Sequence, residues 1–253
     1  MFRKILHQIV FYGLLAAAWK LLFSLKIWSP SLFPSPGQVL ETLREGFTNR
    51  TFFIAIGVSM RRLVIGYSLA VVFGTAFGVL IGKVRVLDET AGGFLMGLQT
   101  LPSVCWLPVS MLLFGINETA VISVVVMGSF LSIIMATDSG IKNIEPLYLK
   151  VGRSMGAQGV EMFRHVVLPA AMPAILIGLK QGWLFAWRSL MAGEILFVSL
   201  GLGHLLNQGR DMHDMSQVIA VMILIVLIGV LIDALVFGLL ERKVRKVWGL
   251  EGR

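Results

Sequence analysis

Apolar residues gather in six runs of roughly membrane-spanning length, at about 9–25, 53–81, 93–114, 119–136, 171–196 and 218–240. A run of about 20 apolar residues matches the hydrocarbon thickness of a bilayer when wound as a helix. The pattern predicts an all-α integral membrane protein with about six transmembrane helices.

Composition agrees. Residues of the AVILMFWYC set make up 57%, glycine adds 27 residues, and only 14% are charged. A soluble domain carries about 25% charged residues, and a soluble chain of this length has no core large enough for so much apolar surface. The net charge of +8 fits nucleic acid, anionic lipid or topology equally until its distribution is read. With the N-terminus inside, thirteen Lys and Arg fall in inner segments and three (Arg44, Arg50 and Arg210) in outer ones. That bias follows the positive-inside rule and places both termini in the cytoplasm. Spread over four inner segments, the charge forms no patch for nucleic acid. The start resembles a signal peptide, with Ala16–Ala18 offering a cleavage site, but the apolar run continues through Trp19 and Leu21–Leu25 as an uncleaved anchor does. Cys105, the single cysteine, excludes an internal disulfide and reads as a small buried hydrophobe.

Between the first two runs, Pro30, Pro34 and Pro36 forbid a regular helix, and residues 38–47 read as a short interfacial amphipathic helix. Trp28 suits a membrane–water boundary. The second run carries a small residue at every fourth position (Gly66, Ala70, Gly74, Gly78 and Gly82), a stripe that packs closely against another helix or lines a pore.

The long polar segment 140–173 is the most informative. Pro146 sits well at a helix start and Gly156 at a helix stop. Residues 158–167 predict a second short helix with Val160, Phe163 and Val167 on one face, stopped by Pro169 and Pro173. The segment reads as a cytoplasmic helix–turn–helix with a tip at Arg153, Ser154, Met155, Gly156 and Ala157.

The block from Arg153 through Gly156-Ala157 to Leu168-Pro169-Ala170 and Pro173 resembles the EAA loop of permeases of binding-protein-dependent ABC importers. The Glu-Ala-Ala that names the loop is replaced by Lys150-Val151-Gly152. Ser59, Arg62, Leu101-Pro-Ser-Val-Cys-Trp-Leu-Pro108, Phe114-Gly115, Trp187, Glu194 and Gly201-Leu-Gly203 are similar to the branch that imports nitrate, sulfonates, taurine or bicarbonate, over about 34–248. The resemblance implies one type I permease-like transmembrane domain over 1–253, with its core at about 53–240 and its coupling loop at about 141–172. It implies a bacterial inner-membrane protein, surrounded by lipid, that forms a homodimeric pore. Two cytoplasmic ATPase subunits would dock on the loops and an external binding protein would deliver the solute. No G-x-x-x-x-G-K-[ST] phosphate loop occurs in the chain, so no cofactor is expected here. ATP and Mg²⁺ belong to the partner subunits, and the chain is not itself an enzyme.

Ionisable and aromatic residues inside the spans nominate the path. Trp183, Trp187 and Glu194 share one face of the fifth span, with Arg188 pointing elsewhere as a source of positive potential for an anion, or as a structural partner of another span. Gln99, Ser103 and Trp106 recur near helical spacing in the third span, which Pro102 and Pro108 break. Lys20 and Lys26 read as snorkelling residues, and Asp233 needs a partner or a cavity. His165, His204 and His213 lack metal-ligand spacing. Two rivals remain: an ion-gradient-driven transporter using Glu194 and Asp233, and a membrane enzyme, which would need clustered His, Asp or Glu.

Overall fold

The computed structural model describes residues 2–29, 31–196 and 200–247. Pro30 lies outside the described residues. In chain order the helices are α1 (Phe2–Ser24), α2 (Pro36–Thr48), α3 (Thr51–Lys83), α4 (Arg85–Leu87), α5 (Gly93–Gln99), α6 (Trp106–Phe114) and α7 (Glu118–Lys142). Then follow α8 (Pro146–Ser154), α9 (Gly159–Met162), α10 (Leu168–Leu196), α11 (Leu202–Asp211), α12 (Met215–Ile232) and α13 (Gly238–Val247). Turns of π-helix at Asp88–Gly92, Phe163–Val167 and Asp233–Phe237 join α4 to α5, α9 to α10 and α12 to α13. Among the described residues five helices are long and apolar enough to cross a membrane, and a bent pair makes six.

The described residues divide into two compact units. The first takes residues up to 59 together with those from 200 to 227. Its α1 is exposed along nearly its whole described length, as befits a helix that is apolar all round. The Trp19 indole N–H donates to the Pro34 carbonyl at 3.1 Å. Helix α2 starts at a capping box: Ser35 Oγ accepts from the Gln38 amide, and Gln38 Oε1 accepts from the Ser35 amide at 2.8 Å. Phe47 packs edge-on against Phe52 and Phe53. The Leu202 amide, at the start of α11, donates to the buried Ser59 hydroxyl at 2.9 Å.

The second unit takes residues 60–196 and 228–247, and α7 is its spine. The stripe on α3 packs within the molecule. A methyl added at Gly66 would lie 2.8 Å from Val125 Cγ1, and one at Gly78 would lie 2.6 Å from Thr137 Cβ. Contact therefore advances along α3 and α7 in the same direction, so the two helices run parallel. Helix α10 meets α7 through its own small residues in the opposite sense. Gly193 faces Val121, Gly182 faces Ile133, and Ala171 and Ala174 face Gly140. Without a hydrophobic drive between helices in lipid, such close approach supplies the dispersion contacts that hold them.

Several expectations need correction. The third apolar run is not one straight helix: α4–α5 and α6 meet at a bend of 97°. The break falls at 100–102, where Pro102 opens the chain, whereas Pro108 lies inside α6 and breaks nothing. A proline in the first helical turn removes no bond that the helix needs. Pro169 and Pro173 do not end the segment before the fifth span, since Gly159–Leu196 is one continuous helical run. The π-turn at Phe163–Val167 supplies the reason, with the Leu168 amide bonded to the Phe163 carbonyl. This wider turn relieves the clash between Pro169 and the carbonyl four residues back. Val160 is 81% exposed and does not share a buried face with Phe163 and Val167. Cys105 is exposed at the bend, not buried. Helix α11, amphipathic with Leu202, Leu205 and Gly209 buried, is an added element.

Candidate functional site

Two surfaces of the second unit hold the residues singled out from the sequence. The first is the hairpin of α8 and α9. Pro146 is the first residue of α8, and the helix ends on Gly156 at φ +85°. The Ala157 amide bonds back to the Gly152 carbonyl and the Gly156 amide to the Arg153 carbonyl, both at 3.0 Å. That pair of bonds is a Schellman cap, and its left-handed residue is the position that glycine favours. Ser154 Oγ donates to the Lys150 carbonyl at 2.8 Å, closing the last turn from its other side.

The hairpin is anchored at its base and bare at its tip. Ile144, Ala171 and Ile175 form a buried cluster, and Leu149 packs against it, as do Ile141, Val167 and Leu168. Gly152 is buried, and a methyl there would meet Val166 Cγ2 at 2.9 Å and Met162 Sδ at 3.0 Å. A small residue is thus required at the last place of the altered Lys150-Val151-Gly152 triplet. The first two places, Lys150 and Val151, are exposed and carry no such demand. On the outer face, Leu147, Tyr148, Val151 and Met155 are exposed, Met155 at 82%. Arg153 and Ser154 are exposed beside them. An apolar patch rimmed by polar groups on a rigid support is what a protein-docking surface needs. Lys83 Nζ lies 3.4 Å above the Phe163 ring, so the end of α3 touches the segment leading into α10.

The second surface is a cavity of about 310 Å³ beneath the bend between α5 and α6. Gln99, Ser103 and Trp106 line it together with Arg188, Phe185 and Ser132. A second cavity of about 340 Å³ shares Gln99 and Ser132 with it and adds Ser139 and Gln181. On α10, Gln181 and Arg188 lie seven residues apart, two helical turns, on the exposed side of the helix. Trp183, Trp187 and Glu194 lie on the opposite, buried side and line neither cavity. The structure therefore brings together Gln99, Ser103, Trp106 and Arg188, and separates Trp183, Trp187 and Glu194 from them.

The separated residues brace the helices. Trp183 stacks edge-on with Tyr67 at 5.3 Å and lies 6.0 Å from Phe237, while the Tyr67 hydroxyl donates to the Leu179 carbonyl. Glu194, fully buried, accepts from Arg62 Nη1 at 2.9 Å. Arg62 Nε also reaches Glu118 at 3.2 Å, and Arg61 pairs with the same carboxylate. These charges tie together the ends of α3, α7 and α10 that lie away from the hairpin. Asp233 has its partner in Lys180 at 3.1 Å, and Lys180 also reaches Glu241. Arg62, noticed in the sequence only as part of a resemblance, is the cation that makes a buried Glu194 tolerable. Glu194 and Asp233 are both held by cations, a poor arrangement for carboxylates that must take up and release a coupling ion. Among the described residues no group of three His, Cys, Asp or Glu could hold a metal.

Comparison with known proteins agrees with this architecture. Residues 70–247 match the family described as the binding-protein-dependent transport system inner membrane component. A putative ABC transporter permease of Methanocaldococcus jannaschii is 30% identical over 91% of this chain and 88% of its own length. The taurine transport system permease TauC of Escherichia coli is 28% identical over 91% of this chain and 86% of its own. The nitrate import permease NrtB of Synechocystis is also 28% identical, with 91% and 86% covered. Among solved structures, an inward-facing MetNI methionine ABC transporter superposes with a TM-score of 0.68 at 19% identity, over 77% of this chain and 96% of the matched one. The paired intramembrane carboxylates and these matches set aside a secondary transporter: the chain belongs to the binding-protein-dependent inner-membrane components, the multi-pass permease subunits of ABC importers, which work with an ATPase and a solute-binding partner.

Proposed function

We propose that two copies of this chain form the translocation path, and that the α8–α9 hairpin of each couples it to a cytoplasmic ATPase subunit carrying ATP and Mg²⁺. The reading is carried by the hairpin: an exposed apolar tip on a helix closed by a Schellman cap and anchored on the start of α10. A push on such a tip passes to α10 as a rigid displacement, because the base is packed and the cap leaves no slack. The hairpin side and both termini face the cytoplasm, in keeping with the thirteen basic residues assigned there. Arg188 and Gln181 occupy the exposed side of α10 within a span. Charges at that depth face a water-filled cavity or another chain rather than lipid, which favours a second copy across the path. The cargo is a small anion, since Arg188 is the cation on that face and relatives bear the names of taurine, aliphatic sulfonate and nitrate systems.

The coupling role is tested at Gly156. No atom lies within 4 Å of a Cβ added there, so Gly156→Val acts chiefly through the backbone, held at φ +85°. A left-handed conformation costs an L residue about 1–2 kcal/mol, and a β-branched one tolerates it poorly. Gly156→Val is expected to lose the co-isolated ATPase and ATP-driven uptake while the permease stays folded, with a melting temperature lowered by about 2–8 °C, and Gly156→Asn is expected to retain both functions. Full ATPase association in Gly156→Val would overturn the coupling assignment.

A further inference from the structure

The cavity beneath the α5–α6 bend has a composition that the coupling role does not explain. Arg61, Arg62, Glu118, Glu194, Lys180 and Asp233 each meet an opposite charge inside the chain. Arg188 meets none among the described residues. Its guanidinium lies 5.3 Å from the centre of the Phe185 ring, a cation–π contact that orients the group without neutralising it. It stands eight residues before the end of α10, about 12 Å inside the helix. An intramembrane cation without a counter-ion calls for an anion from elsewhere.

The rest of the lining says what kind of anion. Gln99, Ser103 and Ser132 add neutral hydrogen-bonding groups, whereas Trp106 and Phe185 offer aromatic faces. The volume, about 310 Å³, is roughly ten times the ~30 Å³ share of one water in the liquid. A bare oxyanion would leave the aromatic part of that space to water. The cavity shares Gln99 and Ser132 with the neighbouring one, whose polar members Ser139 and Gln181 are uncharged. The anion thus has one strong point of attachment followed by weaker ones, so it binds and can still leave.

We propose that this cavity is a transit site for an organic monoanion, its acid group held at Arg188 with Gln99 and Ser103, and its carbon chain lying against Trp106 and Phe185. The proposal rests on the reading of the chain as a permease, and places substrate discrimination inside it. Arg188 acts as the charge anchor and Trp106 sets the preference for carbon over a bare oxyanion.

The test uses the permease–ATPase complex in lipid nanodiscs without the binding protein, with methane-, ethane-, propane- and butanesulfonate and nitrate as probes. Equilibrium binding of labelled butanesulfonate is read directly, and the others are read by competition. Saturable butanesulfonate binding is expected, tightening about fourfold per added methylene, the factor equivalent to about 0.8 kcal/mol of apolar burial. Arg188→Gln is expected to weaken every sulfonate at least tenfold. Trp106→Ala is expected to flatten the chain-length series and leave nitrate competition unchanged. Absence of saturable binding, equal affinity in Arg188→Gln, or nitrate competing as well as butanesulfonate would overturn the site. ATPase co-isolation and basal ATP hydrolysis are measured on the same samples. Their loss in the unsubstituted complex would overturn the coupling reading instead, and a native melting temperature and elution volume show that Arg188→Gln is folded.

Discussion

Replacing Glu194 removes one partner from a pair that water does not reach. Its side chain is 0% exposed and that of Arg62 is 5%, with 2.9 Å between Nη1 and Oε1. Breaking such a pair from one side typically costs about 3–5 kcal/mol. Arg62 keeps Glu118 on its Nε at 3.2 Å, and Glu118 is 38% exposed, so the guanidinium is not stranded. The expected loss for Glu194→Ala is therefore near the lower end, about 3 kcal/mol. Glu194→Gln retains an acceptor for Nη1 and exchanges a charged hydrogen bond for a neutral one, a loss of about 1–2 kcal/mol. The double variant Arg62→Met with Glu194→Leu replaces buried charges by apolar bulk and should return close to the native value. Equilibrium unfolding of the purified chain in mixed micelles reads the series. Native stability in Glu194→Ala, or a double variant no better than Glu194→Ala, would refute the buried-brace argument.

Gly78→Ala should destabilise by about 1–3 kcal/mol, because the new methyl would lie 2.6 Å from Thr137 Cβ and 2.8 Å from the Ile134 carbonyl, which no rotamer can move. Gly57→Ala, with open space around it, should be neutral or stabilising by up to about 1 kcal/mol; the same sign in both thermal melts would contradict the α3–α7 packing. Ser35→Ala removes the hydroxyl that caps α2 and should weaken that helix by about 0.5–2 kcal/mol, seen as faster amide exchange confined to its first turns. Lys180→Met leaves Asp233 without its 3.1 Å partner and should lower the melting temperature, and Asp233→Asn in the same background should recover part of the loss.

How much was legible in the sequence differs by element. Gly156 was readable because a left-handed helix stop has one favoured residue, and Pro146 because a first helical turn tolerates proline. The stripe from Gly66 to Gly82 was readable as a face, and its partner on α7 was not, since spacing reveals a periodic face and not what covers it. The Arg62–Glu194 pair joins residues 132 positions apart, and local pattern carries no information over that separation. Pro102 marked the 97° bend, whereas Pro108 and Pro169 misled. A proline breaks a helix only where its missing N–H and its ring are not accommodated. Pro108 sits in a first turn, and the π-turn at Phe163–Val167 makes room for Pro169. The sequence nominated seven residues for the path, six by spacing within single helices and Arg188 by its charge. Four of them line the cavity, because the bend brings Gln99, Ser103 and Trp106 against the Arg188 side of α10. Helix α11 lies between the fifth and sixth apolar runs and is too short and too polar to register as a span, although its buried positions Leu202, Leu205 and Gly209 follow a helical period.

The central claim is that the hairpin tip is where an ATPase subunit takes hold. The most direct measurement replaces Cys105 by Ser and places a single cysteine at Met155, 82% exposed on that tip, or at Val72, 63% exposed on the side of α3. Each variant is purified with its ATPase partner and treated with a short bifunctional thiol reagent, with and without nucleotide. The account predicts a permease–ATPase cross-link from Met155→Cys and none from Val72→Cys. A cross-link absent at Met155→Cys in an assembled, ATP-hydrolysing complex would contradict it.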